Sequence, residues 1–174
     1  MGDLYVITAV GKDRPGIVAA LARAVYSVGG NLDDATMTRL HGTFATMVSL
    51  ELPPSSSVQS LMDALEPLQN DNGLHIHLES VEPRVETEAE PDHQITVYGA
   101  DKPGIVYRVA EALADSQINI TDMDTRVAGT LDSPIYVMHL QVESADKDIH
   151  AVLASVRQEL AVDITVQALE NEAL

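Results

Sequence analysis

The chain has 174 residues, contains no cysteine, and carries a formal net charge of −17 at pH 7. A protein this anionic is repelled by phosphate backbones, and no lysine or arginine cluster offsets the repulsion, so direct binding to nucleic acid is not expected. Without cysteine there is neither a disulfide nor a thiol nucleophile. No basic N-terminal region and no apolar run of about 20 residues is present, so we expect a soluble, cytoplasmic protein.

One sequence pattern occurs twice. The segment GKDRPGIV at residues 11–18 returns as GADKPGIV at residues 99–106, a shift of 88 positions that also aligns Asn31 with Asn119. A period of this length is too long for a solenoid unit, so each copy is expected to close its own hydrophobic core. The repeat therefore predicts two domains of one type.

The boundary between the copies is predicted from composition. Residues 83–91 are rich in glutamate and contain Pro83 and Pro91, a composition that buries little apolar surface and is typical of a solvated linker. The predicted domains are residues 1–82 and residues 92–174.

The apolar spacing in each copy predicts a β-α-β-β-α-β order. In the first copy the predicted elements are a strand at 4–10, a helix that starts at Pro15 and ends at Gly29 and Gly30, strands at 31–41 and 44–52, a helix with Val58 to Leu68 on its apolar face, and a strand at 74–81. The second copy repeats the pattern, with strands at 119–128, 135–143 and 162–169 and helices marked by the stripes Ile105 to Leu113 and Ile149 to Leu160. We therefore predict an α+β protein with two ferredoxin-like domains in tandem.

The repeated turn lies between the first strand and the first helix of each copy. Gly11 is expected to allow a tight exit from the strand, Pro15 to start the helix, and Gly16 to let a ligand or backbone come close. Free N–H groups at the helix N-terminus suit a carboxylate, and Asp13 can accept hydrogen bonds from an ammonium group. Asn31 offers a donor and an acceptor, which we expect beside them. Together these groups suit the two ends of a free α-amino acid.

A structural role for the same residues is also open. Asp13 and Asp101 can cap the helices they precede, because aspartate is a favoured N-cap and its charge complements the helix dipole. Asn31 and Asn119 can be turn residues that tolerate a left-handed conformation. Residue chemistry alone favours capping over ligand binding.

At these residues the chain resembles the ACT domain family, small ferredoxin-like regulatory modules that bind amino acids. The resemblance covers nearly the whole chain, and its most specific parts are the Gly-x-Asp-x-Pro-Gly turn and the Asn that opens the second strand. In that family the ligand lies at an interface between two modules, contacted by this turn and by this Asn. The resemblance implies these ligand-binding residues: Gly11, Asp13, Gly16, Ile17 and Asn31 in the first copy, and Gly99, Asp101, Gly104, Ile105 and Asn119 in the second.

The resemblance also implies a class of function. A pair of such modules without a catalytic domain is similar to non-enzymatic regulators that bind a small amino acid, such as glycine, and modulate a partner protein that is itself a DNA-binding regulator. Independently of the resemblance, the exposed sheet faces or edges are expected to pair between the two halves or between chains, the latter as a homo-oligomer, since an uncovered apolar sheet edge is prone to aggregate. The alternative is a tandem interaction module that binds no small molecule.

No other motif predicts a catalytic or metal site. His75 and His77 lie two apart in a predicted strand and share a face, so they could bind a metal ion, but no third ligand is evident at suitable spacing. Alternation of polar residues on an exposed strand face explains them better. The serines at 55–57 lack the context of a nucleophile, and no base is placed beside one. The sequence therefore predicts no catalytic residue, no metal and no cofactor.

Overall fold

The computed structural model describes residues 3–71, 73–82, 90–130 and 133–169. The chain divides after Val85 into two compact units, here called unit 1 and unit 2. Most of the predicted linker lies outside the described residues, so its exact limits stay a prediction. Within the described ranges, no helix combines the length and the apolar character that crossing a membrane requires.

Each unit follows the predicted β-α-β-β-α-β order. The elements of unit 1 are β1 (Asp3–Lys12), α1 (Ile17–Ser27), β2 (Asn31–Leu40), β3 (Thr43–Leu52), α2 (Val58–Asn70) and β4 (His75–Val81). Those of unit 2 are β5 (His93–Ala100), α3 (Ile105–Asp115), β6 (Asn119–Thr130), β7 (Ser133–Glu143), α4 (Ile149–Leu160) and β8 (Asp163–Ala168). The strands form one antiparallel sheet per unit, in the orders β2-β3-β1-β4 and β6-β7-β5-β8. The predicted α+β, ferredoxin-like class is confirmed for both copies.

The core of each unit lies between its sheet and its two helices. In β1, Tyr5, Ile7 and Ala9 are buried while the residues between them are more exposed, as expected for a strand with one covered face. The apolar stripe of α1 faces this core: Ile17, Leu21 and Val25 are buried, while Val28 is the C-cap and is half-buried. The largest fully buried side chains of unit 1 are Ile7, Val25, Leu50, Leu61 and Leu65, and those of unit 2 are Ile95, Val97, Ile105, Leu113, Met138, Leu140 and Leu153.

Local signals determine where the helices and hairpins of unit 1 begin and end. Ser57 caps α2: its hydroxyl accepts from the Ser60 N–H at 3.1 Å, and the Ser60 hydroxyl accepts from the Ser57 N–H at 3.2 Å. Gly29 ends α1 with a φ of 76°. His41 and Gly42, with φ of 49° and 79°, form the two-residue connection between β2 and β3.

The sheet of each unit also has an open face, which points away from that unit's helices. In unit 1 this face carries Thr8, Val10 and Met47, and Met47 is 52% exposed. In unit 2 it is more polar, and Thr96 and His139 share a hydrogen bond of 3.1 Å there. Association through these faces or through the sheet edges stays a prediction.

Candidate functional site

The repeated turn of unit 1 connects β1 to α1 and contacts the β2–β3 hairpin. The Asp13 N–H donates to the Gly42 carbonyl oxygen at 2.9 Å, which fixes the turn against the hairpin. The prediction that Pro15 lies in the first turn of the helix is wrong, because α1 begins at Ile17 and Gly16 is its N-cap. Pro15 lies just outside the helix, where its restricted φ limits the conformations of the turn.

The N-cap glycines have nearly the same backbone conformation in the two units. Gly16 has φ 93° and ψ −5°, and Gly104 has φ 98° and ψ −4°. A Cβ added to either glycine would meet no atom of the described residues within 4 Å, so no contact inside the chain requires glycine here, and the approach of a ligand or a second backbone to Gly16 stays a prediction. The left-handed conformation is the reason, because it disfavours residues with a side chain.

The capping hypothesis for the two aspartates is wrong. Neither α1 nor α3 has a side-chain hydrogen bond at its N-cap, which is a left-handed glycine in both cases. Asp13 and Asp101 lie three residues before these glycines, outside the usual N-cap position. The carboxylates are therefore not used as helix caps.

Gly11 and Gly99 lie inside strands and are required for packing. A Cβ on Gly11 would lie 2.6 Å from Leu74 Cδ2 and 3.1 Å from the Gly73 carbonyl oxygen, and one on Gly99 would lie 2.9 Å from Val162 Cγ1. The prediction that Gly11 allows a tight exit from the strand is therefore wrong. Both glycines let the segment before the last strand of the unit pack against the first strand.

The Asp13 carboxylate pairs with a cation of its own chain. Asp13 Oδ2 lies 3.3 Å from Arg39 Nη1, and the two side chains are 31% and 70% exposed. Arg39 of β2 is the cross-strand partner of Phe44 in β3, and Phe44 is also the cross-strand partner of Gly11 in β1. Arg39 is therefore level with the start of the turn. Arg39 was not predicted from the sequence, although the register of the β2–β3 hairpin is what places it next to the turn.

Among the described residues, the Asp101 carboxylate of unit 2 has no such partner, and its side chain makes no hydrogen bond or ion pair. Val127 pairs with Tyr136, which pairs with Gly99, so Val127 occupies in unit 2 the register position that Arg39 holds in unit 1. The neighbouring Lys102 donates instead to the Leu160 carbonyl oxygen at 3.3 Å.

The side chains of Ile17 and Ile105 are not available to a ligand at the turns. Their side chains are 3% and 2% exposed and belong to the two hydrophobic cores. The Ala20 N–H donates to the Gly16 carbonyl oxygen at 2.9 Å, and Arg108 does the same to Gly104. The backbone N–H groups that precede Ala20 and Arg108 in the first turn of each helix have no intrahelical acceptor and can donate hydrogen bonds to a carboxylate.

Asn31 does not lie beside Asp13 within unit 1, contrary to prediction. It pairs with Glu51, which pairs with Leu4, so it is level with the beginning of β1 and not with Gly11. Seven residues at about 3.3 Å each separate the two levels by about 23 Å. The cause is topology: β1 and β2 are both antiparallel to β3, so α1 carries the chain back to the opposite end of the sheet.

The asparagines have local hydrogen-bond partners. Asn31 Nδ2 donates to Asp33 Oδ1 at 3.0 Å, and Asn119 Nδ2 donates to Glu143 Oε2 at 3.4 Å. An amino acid is much shorter than the separation of Asn31 from the turn. The turn and the Asn of the same unit therefore cannot contact one amino acid together.

The surface of α3 differs from that of α1 just after the turn. Arg108 Nη2 lies 2.5 Å from Glu159 Oε2 and Nη1 lies 2.6 Å from Glu111 Oε2, while the Tyr107 hydroxyl donates to Glu111. The hydrogen bond from Arg108 lowers the pKa of Glu159, and the one to Glu111 raises the pKa of Tyr107. This network ties α3 to α4, whereas the position of Arg108 is Ala20 in unit 1.

His75 and His77 lie on the open face of unit 1. They pair with Val10 and Thr8 of β1, and both are exposed. Within the described part of the chain, no group of three or more His, Asp or Glu side chains is arranged to bind a metal ion.

Family models match both halves of the chain. Two models, each described as an ACT domain, match residues 3–79 and residues 93–158. The glycine cleavage system transcriptional repressor of Escherichia coli strain K12 is 29% identical over 157 residues, which cover 88% of this chain and 80% of that protein.

Solved structures match the full chain. An unknown protein from Galdieria sulphuraria is 25% identical, with a TM-score of 0.83 and coverage of 97% of this chain and 99% of that one. A structure provisionally named a glycine cleavage system transcriptional repressor is 21% identical, with a TM-score of 0.74 and coverage of 98% and 99%. The chain belongs to the ACT domain family, with one ACT domain in each unit.

Proposed function

We propose that this chain is a non-enzymatic regulator that binds a small amino acid, glycine, at its repeated turns and thereby modulates a partner protein. The observation that carries the proposal is a carboxylate three residues before the N-cap glycine of a helix in both ACT domains, half-buried at Asp13 and exposed at Asp101. The partner proposed is a DNA-binding activator of glycine cleavage genes. The name of the Escherichia coli relative supports glycine and transcription as the context.

The chemistry of the turn suits a zwitterion. The ammonium group of the ligand binds the carboxylate of Asp13 or Asp101, and its carboxylate binds free N–H groups at the start of α1 or α3. Because the asparagines lie at the far end of each sheet, Asn31 and Asn119 do not reach a ligand at the turn of their own unit. The proposed site at each turn therefore consists of the Asp carboxylate and the N–H groups of the helix.

The net charge supports regulation through a protein. At −17, the chain is repelled by DNA, so control of transcription requires a partner that contacts the DNA instead.

A thermal-shift panel of the twenty amino acids tests the proposal. Glycine is expected to raise the unfolding temperature progressively, because a ligand of the native state stabilises it by about 2.7 kcal/mol at 100 times its Kd. Acetate and trimethylglycine are matched controls, since the first lacks an ammonium group and the second lacks N–H donors. The absence of a concentration-dependent shift with every amino acid would refute amino-acid sensing.

A second function is a tandem interaction module without a ligand. It is favoured by the internal partners of two candidate residues, since Asp13 pairs with Arg39 and Asn31 donates to Asp33. If it is correct, Asp13→Ala and Asn31→Ala reduce stability but leave association with the partner protein unchanged in the presence and absence of glycine.

A further inference from the structure

We infer that the two turns are not equivalent: the Asp101 turn binds the ammonium group of the ligand, while Arg39 occupies the corresponding carboxylate in the Asp13 turn. This inference rests on the proposed function, because it assigns the ligand to one of two repeated sites. It identifies Arg39 and Val127 as residues that determine which turn is open to a cation.

The first observation is the ion pair itself. In unit 1, the guanidinium of Arg39 lies 3.3 Å from the carboxylate that an ammonium group would need. Both side chains are on the surface, so the pair opens and closes in solution, and an incoming ammonium competes with a cation held permanently nearby. The guanidinium thus acts as a built-in competitor.

The second observation is the strand register. Gly11 is joined through Phe44 to Arg39, and Gly99 is joined through Tyr136 to Val127, so the two positions are equivalent by pairing as well as by the shift of 88 residues. Val127 is 61% exposed and carries no charge. The same backbone position therefore presents a cation in one unit and an apolar side chain in the other.

The third observation is the local charge. The turn and its β2 neighbour in unit 1 carry three cationic side chains and one anionic side chain, Lys12, Arg14, Arg39 and Asp13. The equivalent positions in unit 2 carry one of each, Lys102 and Asp101, and the Lys102 amino group is bound to the Leu160 carbonyl oxygen. An ammonium ion is repelled by the first arrangement and not by the second.

The expected consequence is a difference in affinity between the turns. An ammonium group that binds Asp13 must displace Arg39 and then lie close to its guanidinium. This weakens ammonium binding at the Asp13 turn by about fivefold or more. Glycine should therefore fill the Asp101 turn at concentrations that leave the Asp13 turn largely empty.

The test is a glycine titration of the full chain followed by two-dimensional ¹⁵N NMR. The amide signals of Gly16 and Gly104 report on the two turns separately. In the wild-type chain, Gly104 is expected to respond at a glycine concentration about fivefold or more below that needed for Gly16. Arg39→Val should lower the Gly16 midpoint, and Val127→Arg should raise the Gly104 midpoint.

Val127→Gln is the matched control, because it adds length without charge and should leave the Gly104 midpoint unchanged. Both positions are exposed, so the variants are expected to fold, and the dispersion of the spectrum checks this. Equal midpoints in the wild-type chain would overturn the inference while leaving glycine binding intact. A weaker Gly16 response in Arg39→Val would also overturn it, because Arg39 would then hold the ligand's carboxylate. No response at either turn in any variant would refute glycine binding itself, and the inference with it.

Discussion

Units 1 and 2 share a backbone but differ in the side chains around their turns. The φ and ψ angles of Gly16 and Gly104 agree within 5° and 1°, yet in the described part of the chain Asp13 is paired with a cation and Asp101 is not. The backbone is set by a glycine that must be left-handed, whereas the charge at the carboxylate is set by a neighbouring strand. Comparison of the two units therefore separates what the turn needs for folding from what it needs for binding.

A second difference lies at the first strand of each sheet. In unit 2, Asp92 Oδ1 accepts from the Ser144 N–H at 2.9 Å and Oδ2 accepts from the Ser144 hydroxyl at 2.7 Å, and His93 Nδ1 is 2.9 Å away. Unit 1 has Leu4 at the equivalent position. Burial acts to raise the pKa of Asp92, but the hydrogen bonds from Ser144 and His93 outweigh it and lower that pKa.

The largest effects on stability are expected at the strand glycines. Gly11→Ala and Gly99→Ala should each lower the free energy of unfolding of their own unit by about 1–3 kcal/mol, because the new Cβ overpacks a buried neighbour. Gly11→Ala should be the more harmful, since its Cβ also meets the Gly73 carbonyl oxygen at 3.1 Å. Urea unfolding measures both changes.

Gly16→Ala is the comparison for these variants. Its Cβ enters open space, so the expected loss is the strain of a left-handed residue alone, about 1 kcal/mol. If Gly16→Ala destabilises unit 1 more than Gly11→Ala, the steric account of Gly11 is wrong.

The next effect is expected at Asp92. Asp92→Ala should destabilise unit 2 by about 1–2 kcal/mol, because Ser144 is buried and loses its acceptor. The folded-state pKa lies below the ordinary value of 3.8, so the stabilisation linked to ionisation is present above that value and is lost as the pH falls through the folded pKa. The difference in free energy of unfolding between Asp92→Ala and the wild-type chain should therefore be smaller at about pH 3 than at pH 7. A gap that widens in acid would contradict this assignment.

The smallest effect is expected on the helix surface. Arg108→Ala removes exposed ion pairs to Glu111 and Glu159, so its loss of stability should be smaller than that of Asp92→Ala and should disappear in about 1 M salt. Arg23→Ala on α1 is a control that removes an arginine from the other unit. A loss for Arg108→Ala that persists in high salt would show that packing, and not charge, couples α3 to α4.

The fold could be predicted from the sequence because its signals are local. The spacing of Ile17, Leu21 and Val25 predicts the buried face of α1, and Ser57 predicts the beginning of α2. These patterns depend on helical periodicity and on hydrogen bonds between residues three or four apart, which are visible in the chain itself.

The arrangement of the candidate site could not be predicted in the same way. Asp13 and Arg39 are 26 residues apart and meet because of the strand order and the hairpin register. The distance of Asn31 from the turn likewise follows from the parallel direction of β1 and β2. The two glycines show a further limit of prediction from sequence. Gly11 is required for packing and Gly16 for its φ, but the sequence alone does not distinguish these two reasons.

Glycine binding to Asp101→Asn and Asp13→Asn, measured by isothermal titration calorimetry beside the wild-type chain, tests the central claim most directly. The substitution keeps the size of the side chain and removes the charge that an ammonium group requires. We expect Asp101→Asn to weaken glycine binding by about tenfold or more, as for the loss of a charge-assisted hydrogen bond, and Asp13→Asn to have a smaller effect. Glycine binding that is unchanged in Asp101→Asn would contradict the claim that this turn holds the ligand.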